Sequence, residues 1–308
     1  MNSIYQKTLS KPVVFKGVGL HSGKISTIKV LPGPEDQGIV FKRVDLKKDN
    51  IIKANFENVS STKLCTTLEN NYGVKISTVE HLIAAIYLTD IDNAIIEVDN
   101  EEVPIMDGSA KEFLKSFKNT EILVQEKKRK YLKVLENMEL KDGKKSISIE
   151  PNNNSLIVDF ELDYDNKVIG SQKNTIDFNQ DDFKHISESR TFCLFHDIEK
   201  IKKIGLAKGG SLDNAIVVDE DKVLNKSGLR NDKEFVNHKI LDLVGDCMLS
   251  GYRILGKIKC SQGGHELTNL FLRKIFKNRK SIQLQENNNI LVTKKITSNS
   301  GLKLAINA

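Results

Sequence analysis

Hydrophobic and polar positions along the chain change period at a series of Gly-, Pro- and Asn-containing breaks, and each change marks an element. Residues 13–18, 25–30 and 38–44 are β-branched or alternate apolar with polar, which is the pattern of antiparallel strands. Residues 81–88, His-Leu-Ile-Ala-Ala-Ile-Tyr-Leu, abandon that alternation. They follow Ser77-Thr78-Val79-Glu80, in which Ser77 and Glu80 fit a capping box, so a helix is expected to start there. Residues 95–98 return as a strand, 104–108 turn the chain, and 109–117 read as a second helix. Between 119 and 130 charge dominates and no period survives, as in a linker.

The later part of the chain repeats this order. Residues 131–140 and 146–150 flank Asp142-Gly143, a strong hairpin signal. Further strands are expected at 156–162 and at 215–218, the latter after Gly209-Gly210. Residues 232–246 then carry apolar positions at helical spacing, followed by a strand over 253–260, a Gly263-Gly264 turn and a helix over 265–276. The same 26-residue interval separates His81 from Asp107 and His238 from Gly264. Two halves of like topology account for the repeat; so does coincidence, because strand and helix alternate in many α+β domains. The expected fold class is α+β, with an N-terminal domain over 1–125 and a C-terminal domain over 126–280. Each contributes a histidine-bearing helix to a shared site, and an Asn- and Ser-rich stretch, 281–308, is expected to be a loosely held tail.

Composition narrows the class. A 308-residue chain that is 39% hydrophobic and 29% charged is long enough for two cores and reads as globular. The four cysteines, Cys65, Cys193, Cys247 and Cys260, form no C-x-x-C pair. This argues for a reducing compartment and against a disulfide framework or a cysteine zinc knuckle. The first residues lack the apolar core of a secretory signal, and the longest apolar run, 82–88, is too short to span a bilayer. A cytoplasmic protein with at most peripheral membrane contact is expected.

The net charge of +6 comes from 47 basic and 41 acidic residues, densest at Lys127-Lys128-Arg129-Lys130. With no tryptophan and 6% aromatics there is no stacking platform for nucleic acid. The cluster is expected to be a solvated linker, or a site of weak attraction to anionic substrate or lipid.

Candidate chemistry begins with His238, Asp242 and Asp246, spaced at i, i+4 steps so that they share one helix stripe. An imidazole and a carboxylate one turn apart make a two-point grip for a borderline metal such as zinc. A third ligand from elsewhere leaves one coordination position open. The same spacing occurs on ordinary solvated helix faces, and His81 taken alone reads as a satisfied helix histidine near a cap.

Longer motifs add to this. Gly17-Val18-Gly19-Leu20-His21-Ser22-Gly23, Ile76-Ser77-Thr78-Val79-Glu80-His81, Pro104-Ile105-Met106-Asp107-Gly108-Ser109, Arg190-Thr191-Phe192, Gly209-Gly210-Ser211 and His238-Lys239-Ile240-Leu241-Asp242 occur in this order. Together they resemble the UDP-3-O-acyl-N-acetylglucosamine deacetylases, zinc enzymes of lipid A synthesis. The resemblance runs from about Gln6 to Phe276. It implies two βα domains with helices sandwiched between two sheets and a site at the domain interface. It also implies hydrolysis of the N-acetyl amide of a UDP-sugar lipid, a small-molecule substrate handled by a monomer.

The resemblance places His81, His238 and Asp242 on the metal ligands, with one Zn²⁺ per chain and Fe²⁺ as the alternative ion. Glu80 falls on the general base, a role that competes with its capping box. Neighbours on a helix point about 100° apart, so Glu80 cannot share His81's position on the metal. His265 falls on the residue that protonates the leaving amine. Its place at a helix N-terminus lowers its pKa, while Asp246 opposes that by favouring the charged form. Thr191 and Lys239 fall near the reacting carbonyl and the substrate; Phe192, Ile198, Gly210, Ser211 and Ala215 fall along an acyl-chain passage. This chain departs from the pattern at Ala207, where the family often has cysteine, at Lys208, which brings a charge near the passage, and at Leu194, where a larger aromatic is frequent. A rival reading, a non-catalytic zinc-stabilised binding module, requires a closed four-ligand site and no role for Glu80.

Overall fold

The computed structural model describes residues 3–286. In the strand Ile25–Pro32, Ser26, Ile28 and Val30 are buried while Lys29 is exposed, so one face meets the core and the other meets water. This strand pairs antiparallel with Val13–Val18 on one side and Ala94–Val98 on the other. Ala94–Val98 also pairs in parallel with Ile39–Arg43, and Ile51–Lys53 closes this five-stranded sheet.

A seven-stranded sheet is organised around Arg253–Ser261. That strand runs parallel to Lys130–Val134 and to Leu156–Asp163, and antiparallel to Lys145–Pro151. Met138–Asp142 pairs with Lys145–Pro151, and Ser171–Asp177 with Leu156–Asp163.

The helices are α1 (Glu80–Leu88), α2 (Lys111–Lys118), α3 (Lys184–Ser187), α4 (Phe195–Lys203), α5 (Glu234–Met248) and α6 (His265–Lys277). Every residue of α1 is buried, and every residue of α5 except Lys239. Helices covered on all sides belong in an interior, and these two pack on each other, with α5 also against Leu156–Asp163 and Ser171–Asp177. Burial of each large apolar side chain there contributes about 1.5–3 kcal/mol. The repeat seen in the sequence is present: α1, Ala94–Val98, a turn and α2, then α5, Arg253–Ser261, a turn and α6. The fold is α+β, and no helix of the described residues is long and apolar enough to cross a membrane.

Four expectations need correction. There is no capping box: Glu80 is the first residue of α1, too early to reach back to a cap, and Val79 precedes it without a side-chain cap bond. Ser77 Oγ instead accepts a hydrogen bond from the Thr67 hydroxyl at 3.1 Å. The charged stretch expected as a linker forms the strand Ile122–Lys128, paired with Tyr5–Leu9. Its Arg129 is buried rather than solvated, 2.7 Å from Asp90 and 2.6 Å from Asp92, because two carboxylates offset the cost of desolvating the guanidinium.

The expected strand over 131–140 is two strands, Lys130–Val134 and Met138–Asp142, since its ends serve different neighbours. Part of the expected tail is ordered: Ser281 ends a short turn, Ile282–Glu286 pairs antiparallel with Lys130–Val134, and 287–308 lie outside the described residues.

Candidate metal centre and its two cavities

His81 lies in the first turn of α1 and His238 in the second turn of α5; their rings meet edge to face with centroids 4.9 Å apart. Asp242 follows one turn after His238. One donor atom from each of the three lies within 4.8 Å of the others, and no fourth donor joins them among the described residues. Asp242 Oδ1 is 3.3 Å from His81 Nε2 and 3.4 Å from His238 Nε2, yet it is buried with no hydrogen-bond partner. A buried carboxylate oxygen in that condition is costly unless a cation satisfies it, so the donor set fits a divalent metal.

Two of the three donors are held in the ligating state, whereas against the effect of burial Asp242 and then Glu80 raise the His81 imidazole. His238 Nδ1 lies 3.1 Å from the Ser189 carbonyl oxygen. The ring donates there and turns the lone pair of Nε2 toward the site. Burial pushes His238 down to about 3, so it is the neutral, ligating form. Burial alone would raise the Asp242 carboxyl, but His238, Lys239 and His81 hold it well below the usual carboxylate range.

Glu80 is not one of the three donors but lines the same cavity. Its Oε2 accepts the Thr66 backbone N–H at 3.1 Å, and its Oε1 stands 3.9 Å from His265 Nε2. Burial raises its pKa above the ordinary 4.5, against the pull of His265 and His81. His265 opens α6 after Gly264. Its Nδ1 lies 2.7 Å from Asp246 Oδ2, while Asp246 Oδ1 accepts the Thr66 hydroxyl at 2.6 Å. Burial would lower the pKa of His265, but Asp246, then Glu80 and Asp242, outweigh it and lift the imidazole to about 10. Asp246 acts on His265 in the direction expected of a neighbouring carboxylate.

These groups line a polar cavity of about 300 Å³ that includes Glu80, His81, Thr191, Phe192, His238, Lys239, Asp242 and His265; Asp246 stands behind His265. Lys239 Nζ reaches Asp242 Oδ2 at 3.3 Å and lies 5.6 Å over the Phe192 ring. Thr191 is fixed by its backbone N–H, which donates to the Gly108 carbonyl at 2.8 Å. The motif around Asp107 thus supports the backbone just before the short strand Phe192–Leu194.

Leu20, Leu64, Thr191 and Phe192 line this cavity and also a second one, of about 380 Å³. Phe192, Ile198, Gly210, Ser211 and Ala215, the five residues expected along an acyl passage, all border the second cavity, and its wall is mainly apolar. The loop 17–23 forms part of that wall. Gly209 donates to the Leu20 carbonyl at 3.0 Å, and a Cβ at 209 would overlap the Gly19 carbonyl oxygen, so only glycine fits. Glu102 fixes the same loop by accepting the backbone N–H groups of His21 (2.8 Å) and Ser22 (2.7 Å) and the Thr78 hydroxyl (2.8 Å). Ala207 borders the cavity; the cation on its wall is Lys202, while Lys208 packs against Gly23.

Thr66, Ser189 and Glu102 were missed by sequence reasoning. They act through hydrogen bonds made from loops and edges, where no periodicity announces them. Leu64 at +63° in φ and Thr78 at +59° mark the tight local backbone there, but only in three dimensions.

Comparison with known proteins identifies the family. A family model described as UDP-3-O-acyl N-acetylglycosamine deacetylase matches residues 6–277. The UDP-3-O-acyl-N-acetylglucosamine deacetylase of Syntrophotalea carbinolica is 43% identical over 284 residues, covering 92% of this chain and 91% of that protein. The enzyme of the same name from Teredinibacter turnerae is 44% identical over 284 residues (91% and 93%), and that from Saccharophagus degradans 45% over 277 residues (89% and 91%). The chain therefore belongs to the UDP-3-O-acyl N-acetylglycosamine deacetylase family.

Proposed function

We propose that this protein hydrolyses the N-acetyl amide of UDP-3-O-acyl-N-acetylglucosamine to UDP-3-O-acylglucosamine and acetate, the committed step of lipid A biosynthesis. The observation that carries the reading is one polar cavity in which a three-donor metal group faces Glu80 and His265, joined to an apolar cavity suited to a fatty chain. The donor set of two imidazoles and one carboxylate fits Zn²⁺ better than a hard cation. Held by His81, His238 and Asp242, a zinc ion supplies Lewis acidity, lowering the pKa of water and polarising a carbonyl oxygen.

The chain's own groups take the protons. Glu80, ionised, accepts a proton from the attacking water as its oxygen bonds to the acetyl carbon. The Thr191 hydroxyl donates to the carbonyl oxygen as that atom gains charge. His265, held by Asp246, delivers its proton to the glucosamine nitrogen as the C–N bond breaks, and acetate departs. Lys239 keeps Asp242 ionised and holds a substrate oxygen. Phe192, Ile198, Gly210, Ser211 and Ala215 receive the acyl chain. All these groups come from one chain, so a monomer suffices, and residues 1–125 and 126–280 supply opposite sides of the site. A UDP-sugar substrate places the enzyme in the cytoplasm. The rival binding module, with four ligands closing the metal, finds no support in a three-donor group.

Acetate release from UDP-3-O-acyl-N-acetylglucosamine by the zinc-loaded protein tests the reading. Turnover is expected with one equivalent of zinc, lost on chelation and restored by adding zinc back. Absence of acetate from metal-loaded, folded protein would overturn it.

A further inference from the structure

Several large apolar side chains are exposed at or beside the mouth of the apolar cavity. Leu64, Phe195 and Leu212 border the cavity and are nonetheless 48%, 51% and 46% exposed. Ile204, at the end of α4, is 51% exposed. α4 has no buried residue, although its Phe195, Ile198 and Ile201 all line the cavity. Its last turn is basic, with Lys200, Lys202 and Lys203, and Asp197 is engaged by Lys200 at 3.3 Å. Large apolar side chains at a rim beside clustered lysines make the surface of an amphipathic interfacial helix, and the sign of the charge selects an anionic partner.

We propose that this rim docks on the surface of an anionic phospholipid bilayer, with Phe195, Ile204 and Leu212 set into the headgroup boundary and Lys200 and Lys203 on the lipid phosphates. Docked so, the apolar cavity opens onto the acyl layer. An acyl chain then passes from lipid into protein without crossing water, a consequence that rests on the deacetylase reading. The docking itself does not rest on it.

The test is co-sedimentation of the zinc-loaded full chain with vesicles of 30% phosphatidylglycerol in phosphatidylcholine and with pure phosphatidylcholine vesicles. Binding is expected to the anionic vesicles, with little to the neutral ones. Lys200→Gln/Lys203→Gln is expected to weaken it at least tenfold, and Ile204→Ser severalfold. None of these three positions borders the polar or the apolar cavity, so acetate release from a soluble short-acyl substrate stays at the parental rate in both variants. Lys47→Gln/Lys48→Gln removes the same charge from an exposed loop elsewhere and should leave binding unchanged. Equal binding to both vesicle types, equal loss in the two lysine pairs, or no binding at all would overturn the docking. None of these outcomes bears on the deacetylase reading, which the acetate assay decides separately.

Discussion

Gly245 of α5 lies so close to Glu80 of α1 that a methyl group at position 245 would overlap the Glu80 carbonyl oxygen. A glycine here lets two buried helices approach backbone to backbone, and that approach brings His81 of one helix to His238 and Asp242 of the other. The helix-to-helix spacing is therefore part of the metal group. Gly245→Ala is expected to force α1 outward, costing about 1–3 kcal/mol of stability and lowering zinc affinity by an order of magnitude or more. Calorimetry and zinc titration check this; parental zinc affinity in a folded Gly245→Ala protein would show that the spacing is not required.

Glu80→Gln is expected to fold, to bind one zinc and to lose acetate release by roughly 10²–10⁴-fold, the usual contribution of a positioned acid or base. The Thr66 N–H can still donate to the amide oxygen of a glutamine, so the side chain keeps its place while losing its basicity. Near-parental kcat with normal zinc content would remove Glu80 from proton transfer.

How much of this was legible beforehand differs by element. α5 and the i, i+4 placement of His238 and Asp242 follow from helical periodicity, and the 26-residue repeat anticipated the matching positions of α1 and α5. The repeat put the helices of His81 and His238 at a shared site, but the role of His81 as a ligand came from the family resemblance, because a ligand from a distant helix leaves no spacing signal. The capping box expected at Ser77 and Glu80 is absent, because Ser-x-x-Glu is the same string whether the glutamate folds back or meets a loop donor such as Thr66. Arg129 was misread for a related reason. Charge in a lysine-rich run predicts solvent, and only the tertiary fold reveals the two aspartates waiting at Asp90 and Asp92.

Those aspartates make a stability prediction. Burial would raise the Asp90 carboxyl, but Arg253, Arg129 and Lys7 hold it below the ordinary 3.8. A depressed carboxylate contributes stability that is present above pH 3.8 and lost as pH falls through its lower folded pKa. Arg129→Ala strands part of this charge in a buried place and is expected to cost about 3–5 kcal/mol. It should also move the onset of acid unfolding to higher pH. Denaturant melts between pH 3 and pH 7 read both effects, and an unchanged midpoint across that range would show the cluster to be energetically idle.

The pH dependence of catalysis tests the pairing of His265 with Asp246. Glu80 must be ionised to accept a proton, and burial raises its pKa, so kcat/KM is expected to fall on the acid side above the ordinary carboxylate value of 4.5. His265 must be protonated to act as the acid, so activity falls as pH rises through its pKa. Without a metal that value is raised to about 10, chiefly by Asp246 against the effect of burial. A cation at His81, His238 and Asp242 repels imidazolium and brings the limb to lower pH. Asp246→Asn removes the charge that favours imidazolium but leaves the burial and the helix N-terminus that disfavour it. Its basic limb should therefore shift downward, whereas His265→Ala should lose most activity at every pH. If the basic limb reports ionisation of the attacking water instead, the cation governs it and Asp246→Asn moves it little. The measurement is kcat/KM from pH 5 to pH 10 for the parent and both variants, each with its zinc content determined. A basic limb unmoved in Asp246→Asn, together with near-parental rates in His265→Ala, would sink both the general-acid role and the pairing that sustains it.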